Sequence, residues 1–132
     1  MTITHDEFVR SVRQQSDLTS DEQARRAAMA TLETFSERVS HGAVDDIAER
    51  LPTGIRDALH ADASEDPESF SPDEFVQRVE AREREFPELN GTHSRRHVEA
   101  VLTTIQEATP EPFEQAVSQL PNEYERLYEL SP

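Results

Sequence analysis

A chain of 132 residues is one domain's length or two very small ones, and the absence of cysteine excludes disulfides, thiolate nucleophiles and thiolate metal sites. Against 28 acidic residues stand 13 basic ones, all arginine, for a formal charge of −15; acid spread along every segment repels phosphate, so no nucleic-acid groove is expected. Such an excess of carboxylate without lysine suits a protein kept in concentrated salt, where ions screen its self-repulsion within about 3 Å at 1 M.

The opening, Met1 to Asp6, has neither a basic segment nor an apolar run, and no later apolar run reaches membrane-spanning length. No signal peptide and no membrane span are expected, and a cytoplasmic location is the default.

Helix starts are legible along the chain. Thr4 with Glu7 forms a capping box, and Ile3 with Phe8 forms the hydrophobic staple around it. The helix over 5–14 buries Phe8, Val9 and Val12. Thr19 with Glu22 reads as a second capping box, opening a helix over 20–40. There Ala24, Ala28, Thr31, Leu32, Phe35 and Val39 fall at steps of three and four. Gly42 reads as its stop. A shorter helix presents Val44, Ile47, Ala48 and Leu51; Pro52 ends it, and a last helix carries Ile55, Ala58 and Leu59.

After an acidic, proline-containing linker from Ala61 to Ser69, the order begins again. Thr4-His5-Asp6-Glu7-Phe8-Val9 returns as Ser71-Pro72-Asp73-Glu74-Phe75-Val76, with Phe70 as the new staple. The helix over 72–84 buries Phe75, Val76 and Val79. An insert, Phe86-Pro87-Glu88-Leu89-Asn90-Gly91, breaks the register and reads as a tolerated surface loop, with a functional loop as the alternative. Then Arg25-Arg26 returns as Arg95-Arg96, Leu32 as Leu102, and Leu51-Pro52 as Leu120-Pro121. The helix over 93–108 offers Val98, Val101, Leu102 and Ile105. The next offers Phe113, Ala116, Val117 and Leu120, and the last Tyr124, Leu127 and Tyr128. No stretch alternates at period two, so no sheet is expected.

The expected fold is therefore all-α, with about eight helices in two tandem, pseudo-equivalent four-helix units packed as a bundle. The first unit spans 1–60, the linker 61–70 and the second unit 71–132. A unit of this size buries only about 60% of its unfolded surface alone, which favours one compact domain or two lobes sharing an interface.

The order just described resembles the domain of unknown function 2267 family. The repeated Asp-Glu-Phe-Val opening, the long helix ending Glu37-Arg38-Val39, and the Leu51-Pro52 corner followed by Arg56 carry the resemblance, over nearly the whole chain. It implies an all-helical fold and no established activity. The family often has aromatic residues after the Leu-Pro corner. Here the first corner is followed by Ala58-Leu59-His60 and only the second by Tyr124 and Tyr128. The arginine after the second corner is displaced by one, in Glu125-Arg126. The resemblance thus implies that the first corner has lost a contact that the second keeps.

Few residues suggest chemistry. His93 and His97, four apart on one helix, share a face and are candidate zinc or nickel ligands, but two ligands are too few for a site. Arg25, Arg26, Arg95 and Arg96 sit at equivalent points of both copies. Brought together they would grip a carboxylate or phosphate bidentately; kept apart they would pair with Glu22 and Glu99 on exposed helix faces. Ser40-His41 beside Asp45-Asp46 contains the residue types of a catalytic triad. Triad members converge from separate elements, however, and this run reads as capping and turn chemistry. Gly42, Gly54 and Gly91 make no phosphate loop. The expectation is a non-enzymatic interaction or regulatory module with a protein partner or a second copy of itself and no cofactor. The alternative is a small-anion or small-ligand binder with an arginine-lined site between the repeats.

Overall fold

The computed structural model describes residues 3–16, 18–60, 68–87, 89 and 93–128, without the side chain of His41. The described residues form seven α-helices and one 3₁₀ helix, and no strand. In chain order these are α1 (His5–Gln14), α2 (Asp21–Arg38), α3 (His41–Ala48), α4 (Thr53–His60), α5 (Pro72–Glu83), α6 (Ser94–Ala108), α7 (Pro110–Val117) and the 3₁₀ helix η1 (Asn122–Leu127). None of these helices is long and apolar enough to cross a membrane. The expected all-α architecture of eight helices stands.

Two of the anticipated starts are built as read. Thr4 accepts from the Glu7 backbone N–H at 3.1 Å while Glu7 accepts from the Thr4 N–H at 3.0 Å. That bond to the Thr4 backbone, followed by the bond to its side chain, holds the Glu7 carboxyl below its ordinary range. Ser71 accepts from the Glu74 N–H at 3.2 Å with Pro72 in the first turn, and the Phe70 and Phe75 rings lie 6.2 Å apart.

Three details differ. The cap of α2 is Ser20, not Thr19: its hydroxyl accepts from the Gln23 N–H at 3.1 Å. Thr19, one step outside, donates its N–H and hydroxyl to the Gln23 side chain, so Glu22 is released from the box for Arg25 and Arg26. Gly42 is not a stop but part of the first turn of α3. The chain leaves α2 through extended Val39 (φ −119°, ψ 160°) and re-enters helix at Ser40, the cap of α3. The last element of the second half is a 3₁₀ helix rather than an α-helix. Of the expected linker, residues 61–67 lie outside the described residues, as do Glu88, Asn90 and Gly91 of the insert.

α2 organises the core. Ala24, Ala27, Ala28 and Ala30 are fully buried along it, small enough for α1, α4, α5 and α6 to pack around one helix. One apolar cluster draws on all eight elements, from Phe8 to Tyr128. α6 is the counterpart hub, packing on α1, α2, α5, α7 and η1. Between α1 and α6, Gln15 reaches Thr104 at 3.2 Å and Glu107 at 3.4 Å. Between α5 and α2, Arg82 reaches Thr34 at 2.7 Å and Glu37 at 2.9 Å. α3 meets α7 at the far end, where Gln119 bonds both the N–H and the hydroxyl of Ser40 at 3.0 Å.

Candidate functional site

The arginine pairs lie on α2 and α6, two helices in contact. Arg25 and Arg26 share Glu22, at 3.2 and 2.8 Å, and Arg26 also lies over the Phe86 ring at 4.9 Å from its centroid. Hydrogen bonding from Arg25 holds the Glu22 carboxyl below its ordinary range. Arg95 reaches Glu99, one turn on, at 3.3 Å, and Arg96 is exposed. The acids anticipated as local partners are thus engaged by Arg25, Arg26 and Arg95.

His93 and His97 are placed differently. His93 precedes the first turn of α6 and is exposed. His97 is 4% exposed, its Nδ1 at 2.7 Å from Glu83 of α5, and the other Glu83 oxygen accepts from Ser94 at 2.6 Å. Glu83 is fully buried. It meets the first turn of α6, where the helix dipole favours a carboxylate. Serine, histidine and acid here are not in triad order. A triad's imidazole sits between the other two and takes the hydroxyl proton; here the carboxylate sits between them, and Ser94 donates to it. The cluster clasps α5 to α6. Among the described residues no three His, Asp or Glu side chains gather as a metal site. Ser40 caps α3 and is engaged by Gln119, while Asp45 meets His60 of α4 at 2.9 Å.

The sequence reading missed a second buried polar centre. Arg38 is 8% exposed at the end of α2; its Nε donates to the Phe70 carbonyl at 3.2 Å and to the Tyr124 hydroxyl at 3.3 Å. Tyr124 also donates to the Phe70 carbonyl. Burial pushes the Tyr124 phenol above its ordinary range, against the opposing pull of Arg38. Arg78 lies 3.9 Å from the Phe70 ring centroid and pairs with Glu74 and Glu68. Arg38 forms part of the family resemblance, but nothing in its spacing says that an arginine would be buried.

The two Leu-Pro corners share a backbone and differ in side chains. At the first, Leu51 donates to Ala48 at 3.1 Å and Ile55 to Pro52 at 3.0 Å; at the second, Leu120 donates to Val117 at 2.9 Å and Tyr124 to Pro121 at 3.0 Å. Arg56 closes the first corner, its Nε donating to the Ala48 carbonyl and its Nη2 to the Leu51 carbonyl, both at 3.0 Å. At the second corner Glu125 stands in that place. The displaced Arg126 turns away to the Glu123 carbonyl at 3.1 Å. Tyr128 packs edge-on against Phe113, 5.2 Å between centroids. The first corner therefore lacks the aromatic contact, as the resemblance implied, and keeps a guanidinium contact that the second lacks.

Beside the second corner lies an open cleft of about 400 Å³ between α7 and η1. Phe113, Val117, Leu120 and Tyr128 give it apolar walls, and Glu114 and Glu125 are carboxylates among its lining; none of its lining residues is basic. Leu120 is half-buried where Leu51 is fully buried. Ser118 also lines it, its hydroxyl donating to the Gln115 carbonyl at 2.6 Å.

No curated protein matches the chain. The family model of an uncharacterized conserved protein, DUF2267, matches residues 5–127, a span running from α1 to the end of η1 and holding both corners. On that match the chain belongs to the DUF2267 family.

Proposed function

We propose that the protein is a non-enzymatic helical interaction module whose contact face is the cleft between α7 and η1. The observation that carries this reading is the cleft itself: about 400 Å³, with Phe113, Val117, Leu120 and Tyr128 set among polar lining residues. That volume is in the range of a recognition pocket. The buried acid, histidine and hydroxyl are occupied in joining helices, which argues against hydrolysis. The alternative, an anion held by Arg25, Arg26, Arg95 and Arg96, has less support, because three of the four lie within 3.5 Å of a carboxylate.

The finer reading has two pseudo-equivalent units, 1–60 and 71–132, working in a salt-rich cytoplasm. The matched corners support the duplication. So do the crossed contacts, in which Gln15, just past α1, meets Thr104 and Glu107 on α6 while Arg82 of α5 meets Thr34 and Glu37 on α2. The charge of −15 without lysine supports the salt adaptation.

The contact face is tested by cross-linked capture from the source cell's extract at high salt, comparing the original chain with Val117→Glu, which introduces charge into the cleft. A partner held by the original and lost from a folded Val117→Glu supports the reading. Identical captured sets overturn it.

A further inference from the structure

Resting on that reading, we infer that the α7–η1 cleft receives the arginine side chain of a basic segment of a partner protein. The argument is internal to the molecule. Both Leu-Pro corners bring together the carbonyl of a helix's last residue, which carries partial negative charge and attracts cations, and a carbonyl from the turn that follows it. At the first corner those carbonyls, Ala48 and Leu51, take the Arg56 guanidinium at 3.0 Å. At the second, the corresponding carbonyls belong to Val117 and Leu120. Both residues line the cleft, and Glu125 stands where Arg56 would be. The exchange removes the cation that the corner accepts elsewhere and adds a carboxylate facing the same space.

Glu114 adds a second carboxylate to the lining. Its counterpart on α3, Asp45, meets the imidazole of His60. A side chain entering here would lay its methylene stem along Phe113 and Val117, as long basic side chains do on apolar surface. Its guanidinium would reach the two carbonyls and Glu125 together. Arginine suits this better than lysine, because its planar fork spans two acceptors at once. The charge of −15 favours a basic partner over an acidic one.

The test is a titration of the full chain, followed by backbone amide NMR at about 1 M salt to suppress diffuse attraction. The probes are a short acetylated Gly-Arg-Gly amide and its citrulline counterpart, in which a neutral urea replaces the guanidinium at equal size. The arginine peptide should give saturable shifts confined to Val117, Leu120, Glu125 and Tyr128. The citrulline peptide should bind about tenfold more weakly, the loss expected for one charge-assisted hydrogen bond. Glu125→Arg should supply the guanidinium from within, raise the melting temperature and abolish binding. If that variant fails to fold, Glu125→Gln should weaken arginine binding without filling the place.

Equal binding of both peptides at the cleft overturns the guanidinium inference and leaves the docking face standing. Undiminished arginine binding by a folded Glu125→Arg overturns it as well. Shifts scattered over the acidic surface, with none at the cleft, overturn the inference too, and the docking face is then judged by the capture experiment alone.

Discussion

At the scale of single residues, two buried polar groups carry more consequence than the exposed charges that dominate the composition. Glu83 is fully buried and holds Ser94 and His97 at 2.6 and 2.7 Å. Replacing it by alanine strands two buried polar side chains, so Glu83→Ala should cost about 2–4 kcal/mol in urea denaturation, and Glu83→Gln distinctly less. The sequence gives the spacing of His93 and His97 but not this outcome. The carboxylate comes from another helix, and the turn that delivers it has no periodicity to read. Tyr124 yields a prediction in pH. Burial raises its pKa in the folded state, so the protonated phenol is favoured there. The resulting stability is fully present below the unfolded value of about 10 and is lost as the pH rises through the higher folded value. Ultraviolet absorbance should show a tyrosine ionising late, together with unfolding, and Tyr124→Phe should flatten that alkaline fall in stability. Ionisation of both tyrosines at the ordinary value, with stability unchanged, would contradict the assignment.

At the scale of elements, legibility followed the locality of the signal. A cap and its partner lie within one turn, so α1 and α5 begin where the sequence says they do. The start of α2 slipped by one because Thr19-Ser20 offers two hydroxyls, and it is Ser20, with an extended backbone, that accepts from the Gln23 backbone N–H, while Thr19 donates to the Gln23 side chain. Ser20→Ala should therefore cost about 1 kcal/mol and Thr19→Ala measurably less, by thermal or urea melting. The last element was legible in its apolar positions but not in its helix type. Its anchor, the Tyr124 hydroxyl donating to the Phe70 carbonyl, comes from a residue far away in the chain. Arg56 tests the corner from the intact side: Arg56→Ala removes the bonds to the Ala48 and Leu51 carbonyls and should cost about 1–2 kcal/mol. The arginine pairs belong to this scale too. If Arg25, Arg26, Arg95 and Arg96 serve as surface pairs, replacing one by glutamine should cost at most about 1 kcal/mol. Phosphate should then stabilise the original and the variant alike at matched ionic strength. Extra stabilisation of the original alone would instead favour the anion-binding alternative.

At the scale of the whole molecule, the recurrence of the Asp-Glu-Phe-Val opening and of the Leu-Pro corner could be read because each is local in sequence. The packing could not, since it is decided by which apolar faces meet: α2 and α6 form a shared centre, α2 meeting α1, α4 and α5, and α6 meeting α1, α5 and α7. The cleft was invisible for the same reason. It lies where the two corners differ, and in sequence that difference appears as Glu125 against Arg56 and as Tyr124 and Tyr128 after the second corner. What composition did carry is the electrostatic state of the fold. Even if every one of the 13 arginines paired with an acid, 15 of the 28 carboxylates would remain without a cation (28 − 13 = 15). Salt weakens the favourable pairs of Arg78 and Arg82, but those with Glu33, Glu37 and Glu74 sit half-buried along α2 and α5, where screening is smaller. Repulsion among exposed carboxylates is screened fully. Relief of repulsion should therefore win, and the melting temperature should rise with potassium chloride, most steeply up to about 1 M, where the Debye length has fallen to about 3 Å. Sulfate would also stabilise by exclusion from the surface, so chloride is the right salt for the test. A melting temperature unchanged between about 0.1 and 3 M would show that carboxylate repulsion does not limit this fold, and the salt-adaptation reading would go with it.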